Sequence, residues 1–187
     1  MTIHGLLLAA GAGRRMGRPK ALVDGWLVRS VDVLRAGGCD RVTVVLGAEA
    51  DRARELVPER VGVVVAADWA VGMGASLRAG LATMSQADDA VLVLLVDLPD
   101  VGADVVRRVL ATAAGPVSLS RATYEGRPGH PVLLGRDHWS GVAQVAVADR
   151  GARDYLSAHA AAAVECGDLA TGADVDSPPT VDQRGAE

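Results

Sequence analysis

Leu6-Leu7-Leu8-Ala9-Ala10-Gly11-Ala12-Gly13-Arg14-Arg15-Met16-Gly17-Arg18-Pro19-Lys20-Ala21-Leu22 is the stretch on which the reading of this chain turns. An apolar run that predicts a buried strand passes abruptly into glycine, arginine and lysine. Glycines after a strand permit backbone conformations that other residues resist. They also leave amide N–H groups bare enough for a phosphate to come close. Arg14, Arg15, Arg18 and Lys20 place four cations within seven residues. The physical reading is a polyphosphate-binding loop; an ordinary strand–helix turn is the competing one. Two generic phosphate motifs do not fit. Met16 stands where a dinucleotide fingerprint needs its third glycine, and no Gly-Lys-Ser/Thr tripeptide follows.

Outside the loop, composition narrows the classes. A chain of 187 residues is long enough for one domain with a sizeable core. Half of it is apolar but only 3% is aromatic, with no Phe, so the core is built from Val, Leu and Ala. The net charge of −4 gives no electrostatic case for nucleic acid. The basic cluster is therefore local, as suits a small anionic ligand. Cys39 and Cys166 form no metal or redox spacing and read as free thiols in a reducing cytoplasm. The apolar run at residues 91–96 is far short of a membrane span. No basic residues precede the first apolar run, which argues against a signal peptide.

Hydrophobic periodicity predicts strands at residues 3–10, 41–46, 61–66 and 90–96, the last almost wholly apolar, as in the centre of a parallel sheet. Helices are predicted from Trp26 to a stop at Gly37-Gly38, and at 49–57, 75–84, 101–113 and 151–162. Shorter strands are predicted at 116–120 and 131–134, around a turn at 125–129, and at 163–166. Strands alternating with helices make this an α/β domain with a mostly parallel sheet, whose ligands lie at the carboxyl ends of the strands. Residues 1–176 read as the domain, and 177–187, polar and Pro-containing, as a tail that frays.

Several residues stand where chemistry is possible. Asp97 directly follows the apolar strand and reads equally well as a Mg²⁺ ligand or as a helix cap. Asp100 looks more like a cap. Ser76, in Gly72-Met73-Gly74-Ala75-Ser76-Leu77, either caps the next helix or hydrogen-bonds a ligand. Asp176, in Asp174-Val175-Asp176-Ser177-Pro178, is on its own an unremarkable loop carboxylate. His130 sits in Arg127-Pro128-Gly129-His130-Pro131, and Arg150 in Asp149-Arg150-Gly151-Ala152-Arg153. His4, His138 and His159 have no partners at metal spacing.

The full loop string, Leu-Ala-Ala-Gly-x-Gly-x-Arg-Met-Gly-x-Pro-Lys-Ala-Leu, resembles the signature of the MobA-like nucleotidyltransferases and is most similar to their molybdenum cofactor cytidylyltransferase branch. Further likenesses occur near residues 72–81, 95–99, 127–131, 149–154 and 174–178. The resemblance implies a Rossmann-like three-layer fold of the nucleotide-diphospho-sugar transferase type. It implies that Leu8, Ala9, Ala10, Gly11, Gly13, Arg14 and Lys20 bind the nucleotide. It places Gly74 and Ser76 at the base, Asp97 and Asp176 on Mg²⁺, and Arg127, Gly129, His130 and Arg150 on the acceptor side. Lys20, Arg14 and Asp97 would carry the catalysis. One departure lies upstream of Trp69, where Ala66-Ala67 stand in place of the family's frequent Asn-Pro and a polar side chain that could contact substrate is absent.

The implied reaction joins a nucleoside monophosphate from a nucleoside triphosphate, CTP first, to a phosphorylated acceptor of the molybdopterin type, releasing pyrophosphate. The nucleophile would be a phosphate oxygen, which is mostly dianionic near neutral pH and needs no general base; the sequence offers no obvious His or Ser dyad. Cations would instead offset charge in the in-line transition state. GTP in place of CTP, or a sugar or alcohol phosphate in place of the pterin, stays open. So does a protein that binds the finished cofactor and delivers it to a molybdoenzyme or its chaperone, and a nucleotide-binding regulator that has lost turnover. Neither nucleic acid nor membrane is expected as a partner.

Overall fold

A computed structural model describes residues 1–176; the tail read at 177–187 lies outside the described residues. Seven strands form one sheet: β1 (Ile3–Ala9), β2 (Arg41–Leu46), β3 (Gly62–Val65), β4 (Ala90–Leu95), β5 (Leu119–Tyr124), β6 (Arg127–Gly135) and β7 (Ala162–Glu165). Their spatial order is β3-β2-β1-β4-β6-β5-β7. β1 pairs in parallel with both β2 and β4, and β2 with β3. β6 runs antiparallel to its neighbours β4 and β5, while β5 and β7 are parallel. The sheet is thus mostly parallel, with one reversed strand.

Helices α1 (Trp26–Gly37), α2 (Ala50–Arg54), α3 (Met73–Leu81), α4 (Ala103–Leu110), α5 (Arg136–Val145) and α6 (Arg153–Ala158) cover both faces. The period-two alternation of each strand divides the core accordingly. In β1, Leu7 and Ala9 face α1 and α4, whereas Leu6 and Leu8 face α3 and α5. In β4, Leu92 and Leu94 take the first side, Val91 and Val93 the second. Leu6, Leu7, Leu92 and Leu134 are fully buried in these layers. The three-layer Rossmann-like fold read from the chain is the one observed.

Several boundaries differ, each for a local reason. β1 ends at Ala9 rather than residue 10, because the Ala10 carbonyl turns to accept from Ala48 N–H. α3 begins two residues earlier than predicted, at Met73. α2, α4 and α6 are shorter than the predicted helices. The strand expected at 116–120 is displaced. Gly115–Val117 form a 3-10 turn, and β5 starts at Leu119. Pro116 lacks the N–H a ladder needs. The turn expected at 125–129 contracts to Glu125-Gly126, both in the left-handed region (φ 52° and 74°), so that Tyr124 pairs directly with Arg127. α5 was not foreseen. It buries only Trp139 and Val142, and Ser140 and Gly141 weaken its helical signal.

Candidate active site

The carboxyl ends of β1 and β4 open into a cleft of about 660 Å³. Its first wall is the loop after β1. Gly13 adopts φ 56°, and a Cβ there would stand 2.0 Å from the Arg18 carbonyl oxygen, so only glycine lets this loop close. Lys20 N–H donates back to the Gly11 carbonyl at 3.2 Å, and Pro19 leads into a 3-10 turn, Lys20–Leu22, that aims the lysine inward. Leu8, Ala9, Ala10, Gly11, Gly13, Arg14 and Lys20 all line the cleft, together with Arg15.

Opposite the loop, three carboxylates converge. Oxygens of Asp97, Asp174 and Asp176 lie within 4.8 Å of one another. Asp97 is buried at the end of β4 and Asp176 is half-buried. The Asp97 carbonyl accepts from Val175 N–H at 3.0 Å, which lashes the late segment to β4. Lys20 Nζ donates to Asp97 Oδ2 and, at 2.8 Å, to Asp176 Oδ1. Arg15 pairs with the other oxygen of Asp176 at 2.8 Å. Burial alone would lower the Lys20 ammonium, but hydrogen bonds and charge from Asp176 and Asp97 outweigh it and hold its pKa above the ordinary value. The hydrogen bond from Lys20 in turn holds Asp176 below the usual carboxylate range. Arg14 lines the cleft without an ion pair among the described residues. Three hard oxygen donors in one place suit a divalent cation.

The cap readings are corrected. α4 begins at Ala103 behind Gly102, so neither Asp97 nor Asp100 caps it. Asp100 instead accepts from Thr171 N–H and Oγ1, both at 2.6 Å. Ser76 is an interior residue of α3, not its cap; it is buried and lines the cleft. Gly74 does not line it. A Cβ there would stand 2.7 Å from the Ala146 carbonyl, so this glycine permits close packing of α3 against the 146–147 backbone. Ala66 is buried beside α3 and Ala67 is exposed; neither borders the cleft.

A smaller cavity of about 220 Å³ adjoins the cleft and shares Leu8, Met73, Leu95 and Asp149 with it. Gly129, His130 and Arg150 line this cavity; Arg127 is exposed at the hairpin tip and does not. Burial, and then the charge of Arg121, push the His130 imidazole down to about 4, so it is neutral at physiological pH. Residues not foreseen at the two cavities include Trp69, Met73, Asp149, Asp174, Arg121 and Arg153. Asp174 stood two residues from Asp176 in the same quoted segment; Arg121 had no local signal at all.

A sheet of this topology, with a glycine–lysine loop facing carboxylates at the strand ends, defines a nucleotidyltransferase-type α/β domain. The model of the MobA-like NTP transferase domain matches residues 5–163, and the chain belongs to that family. Among its relatives is nicotine blue oxidoreductase of Paenarthrobacter nicotinovorans, 37% identical over 94% of this chain and 92% of that protein. Molybdenum cofactor guanylyltransferase of Rhodobacter capsulatus is 30% identical over 75% of this chain and 67% of its own length. Rv0371c of Mycobacterium tuberculosis superimposes with a TM-score of 0.77 at 27% identity, covering 95% of this chain and 94% of that one. Its complex with manganese gives 0.71 at 26%, over 98% and 95%. A nucleotidyl transferase from Methanothermobacter shares the fold, with a TM-score of 0.78 at 23% identity over 94% and 92%.

Proposed function

We propose that this nucleotidyltransferase transfers a nucleoside monophosphate, from CTP first, to the phosphate of a molybdopterin-type acceptor, releasing pyrophosphate. The single observation that carries the reading is the convergence of Lys20, Arg14 and Arg15 with three carboxylates in one cleft that runs into a second cavity. The cleft takes the triphosphate and the second cavity takes the acceptor. Lys20 and Arg14 offset the charge that accumulates when one anion approaches another. His130, neutral and flanked by Arg121, orients the acceptor rather than moving a proton. Asp97, Asp174 and Asp176 would hold Mg²⁺ or Mn²⁺, which when bound neutralises phosphate oxygens and polarises the phosphorus under attack. The mycobacterial relative is known in complex with manganese, a divalent ion of the kind that oxygen donors hold. The physiological partner of the product would be a molybdoenzyme or its chaperone. No helix among the described residues is long and apolar enough to cross a membrane.

A second reading follows from the 37% identity to nicotine blue oxidoreductase, which spans nearly both chains. The loop lacks the third glycine of a dinucleotide fingerprint, but its cations would still meet the pyrophosphate of a reduced nicotinamide dinucleotide. One pair of assays separates the two. Pyrophosphate release is measured with each of four nucleoside triphosphates, with and without molybdenum cofactor. Oxidation of NADPH is followed with nicotine blue as acceptor. Cofactor-dependent pyrophosphate release supports nucleotidyl transfer; dye-dependent NADPH oxidation without it supports the reductase.

A further inference from the structure

Arg121 lines the smaller cavity as a charged side chain to which the reaction just described gives no anionic partner. It leaves β5 on the face opposite its neighbour Ala122, which packs in the layer of α1 and α4. It therefore enters the α3–α6 side and lines the smaller cavity, whose other walls include Leu77, Val93, Val132, Leu134 and Leu156. Its Nε is fully shielded from solvent and has no hydrogen-bond partner. Among the described residues, no hydrogen bond or ion pair engages the side chain of Arg121. A guanidinium in apolar surroundings ordinarily has its donors satisfied, because leaving them bare is costly.

The nearest charge does not help. Burial lowers Arg121 from the ordinary arginine value, and the charge of Arg153 pushes the same way. Arg153 lines the same cavity and makes no ion pair among the described residues. Arg150 is already engaged, donating to Asp154 at 2.9 Å. Asp149, which borders both cavities, is the only carboxylate among the lining residues. The half-buried Arg121 and the exposed, unpaired Arg153 thus border one small cavity, in which a neutral imidazole, His130, adds no charge. An anion there would supply the partner that Arg121 Nε lacks. At about 220 Å³ the chamber is below the usual size of a whole-ligand site, so it receives a group and not an entire nucleotide.

We propose that the smaller cavity is an oxyanion receptor in which Arg121, with Arg153 beside it, binds a phosphate or carboxylate carried on an apolar or ring-bearing part of the second substrate. That this substrate is the acceptor rests on the nucleotidyl-transfer reading; the anion site itself does not. Arg121 is a binding residue here: its fork geometry fixes the orientation of the anion.

The test needs no turnover. The Nε–H resonance of Arg121 in ¹⁵N-labelled full-length protein is assigned by its loss in Arg121→Gln. Phenyl phosphate and benzoate are then titrated as probes, with inorganic phosphate as control. Saturable movement of the Arg121 resonance, kept in Lys20→Ala, is expected. Arg121→Gln should weaken binding of the preferred probe about ten- to a hundredfold, the factor carried by one lost charge-assisted hydrogen bond, and Arg153→Gln should weaken it less. Arg121→Lys, which keeps the charge and the packing stem, should fall between wild type and Gln and serves if the Gln variant does not fold. Tighter binding of phenyl phosphate assigns a phosphate, and tighter binding of benzoate a carboxylate. An Arg121 resonance that neither probe moves, or movement abolished in Lys20→Ala, overturns the proposal. Because pyrophosphate release is measured separately, an absent transferase activity and an absent anion site are distinct results.

Discussion

The ammonium of Lys20 stands 2.8 Å from a carboxylate oxygen of Asp176, and the same nitrogen donates to Asp97. One cation therefore joins the loop after β1, the end of β4 and the late segment beyond β7. It also rests on the carboxylates that suit a divalent ion, so lysine and metal contend for the same oxygens. Lys20→Ala is expected to cut turnover by roughly two to three orders of magnitude, the scale of a lost electrostatic stabiliser. In the absence of nucleotide, the same variant should bind Mn²⁺ more tightly than wild type, measured by electron paramagnetic resonance. Near-normal turnover would remove Lys20 from the chemistry.

The three carboxylates yield a second prediction. Asp97→Asn preserves shape and one acceptor oxygen but removes a charge, and α4 does not depend on it for a cap. Activity should fall by more than the roughly 10–100-fold that loss of an outer-shell partner costs at a metal site. The divalent-ion concentration for half-maximal rate should rise, and Asp176→Asn should behave alike. Titration of Mg²⁺ against initial rate reads both. Unchanged rates in the Asn variants would dissociate these residues from metal binding.

Much of this site was legible because its parts are local. The strand at residues 3–9 and the glycine–lysine loop follow each other in sequence, and periodicity and residue type suffice to read them. Asp97 was readable for the same reason, since it abuts an apolar strand. Its meeting with Asp176 was not, because nothing in spacing brings those two together; only the family likeness implied it. Gly74 was misread because glycine signals close approach without saying to what, and here it is to the Ala146 carbonyl. Arg121 was missed because β5 was placed too early, at 116–120, which left the arginine just past the predicted strand, where alternation assigned it no face.

Base choice is a third prediction. The Ala10 methyl packs beneath the cleft at the place where Gly47 meets the Trp69 ring; a Cβ on Gly47 would stand 2.7 Å from that methyl and 2.6 Å from the ring. Ala10→Gly would open space there, and a purine needs more room than cytosine. Wild type is expected to prefer CTP to GTP, with one methyl contributing about 1–3 kcal/mol, or roughly 10–200-fold. Ala10→Gly should narrow the preference without reversing it. Specificity constants for both nucleotides in both proteins decide this, and a wild-type preference for GTP refutes the cytidylyl assignment.

Glu165 provides a fourth, on stability. Its carboxylate accepts from Gly167 N–H at 2.8 Å, Glu125 N–H at 2.9 Å, Gly126 N–H at 3.1 Å and the Thr123 hydroxyl at 2.9 Å. These donors, Gly126 foremost, hold its pKa down to about 2 from 4.5. Because the folded value lies below the unfolded one, the stabilisation is present above about pH 4.5 and is lost as pH falls toward about 2. Glu165→Gln should therefore lower Tm at neutral pH, and the gap should close on acidification through that window. A gap of constant size across the window would show that ionisation of Glu165 does not brace the β5–β6 hairpin.

The reversed strand β6 has a consequence for how such proteins diverge. It separates the parallel strands β1 and β4, which carry the glycine loop and Asp97 at the larger cleft, from β5, whose Arg121 lines the smaller cavity with His130 of β6 itself. Only Leu8, Met73, Leu95 and Asp149 belong to both. Substitutions on the hairpin or on α6 can remodel one substrate's chamber while the nucleotide's stays intact. That gives one ancestry room for relatives whose names range from guanylyltransferase to oxidoreductase.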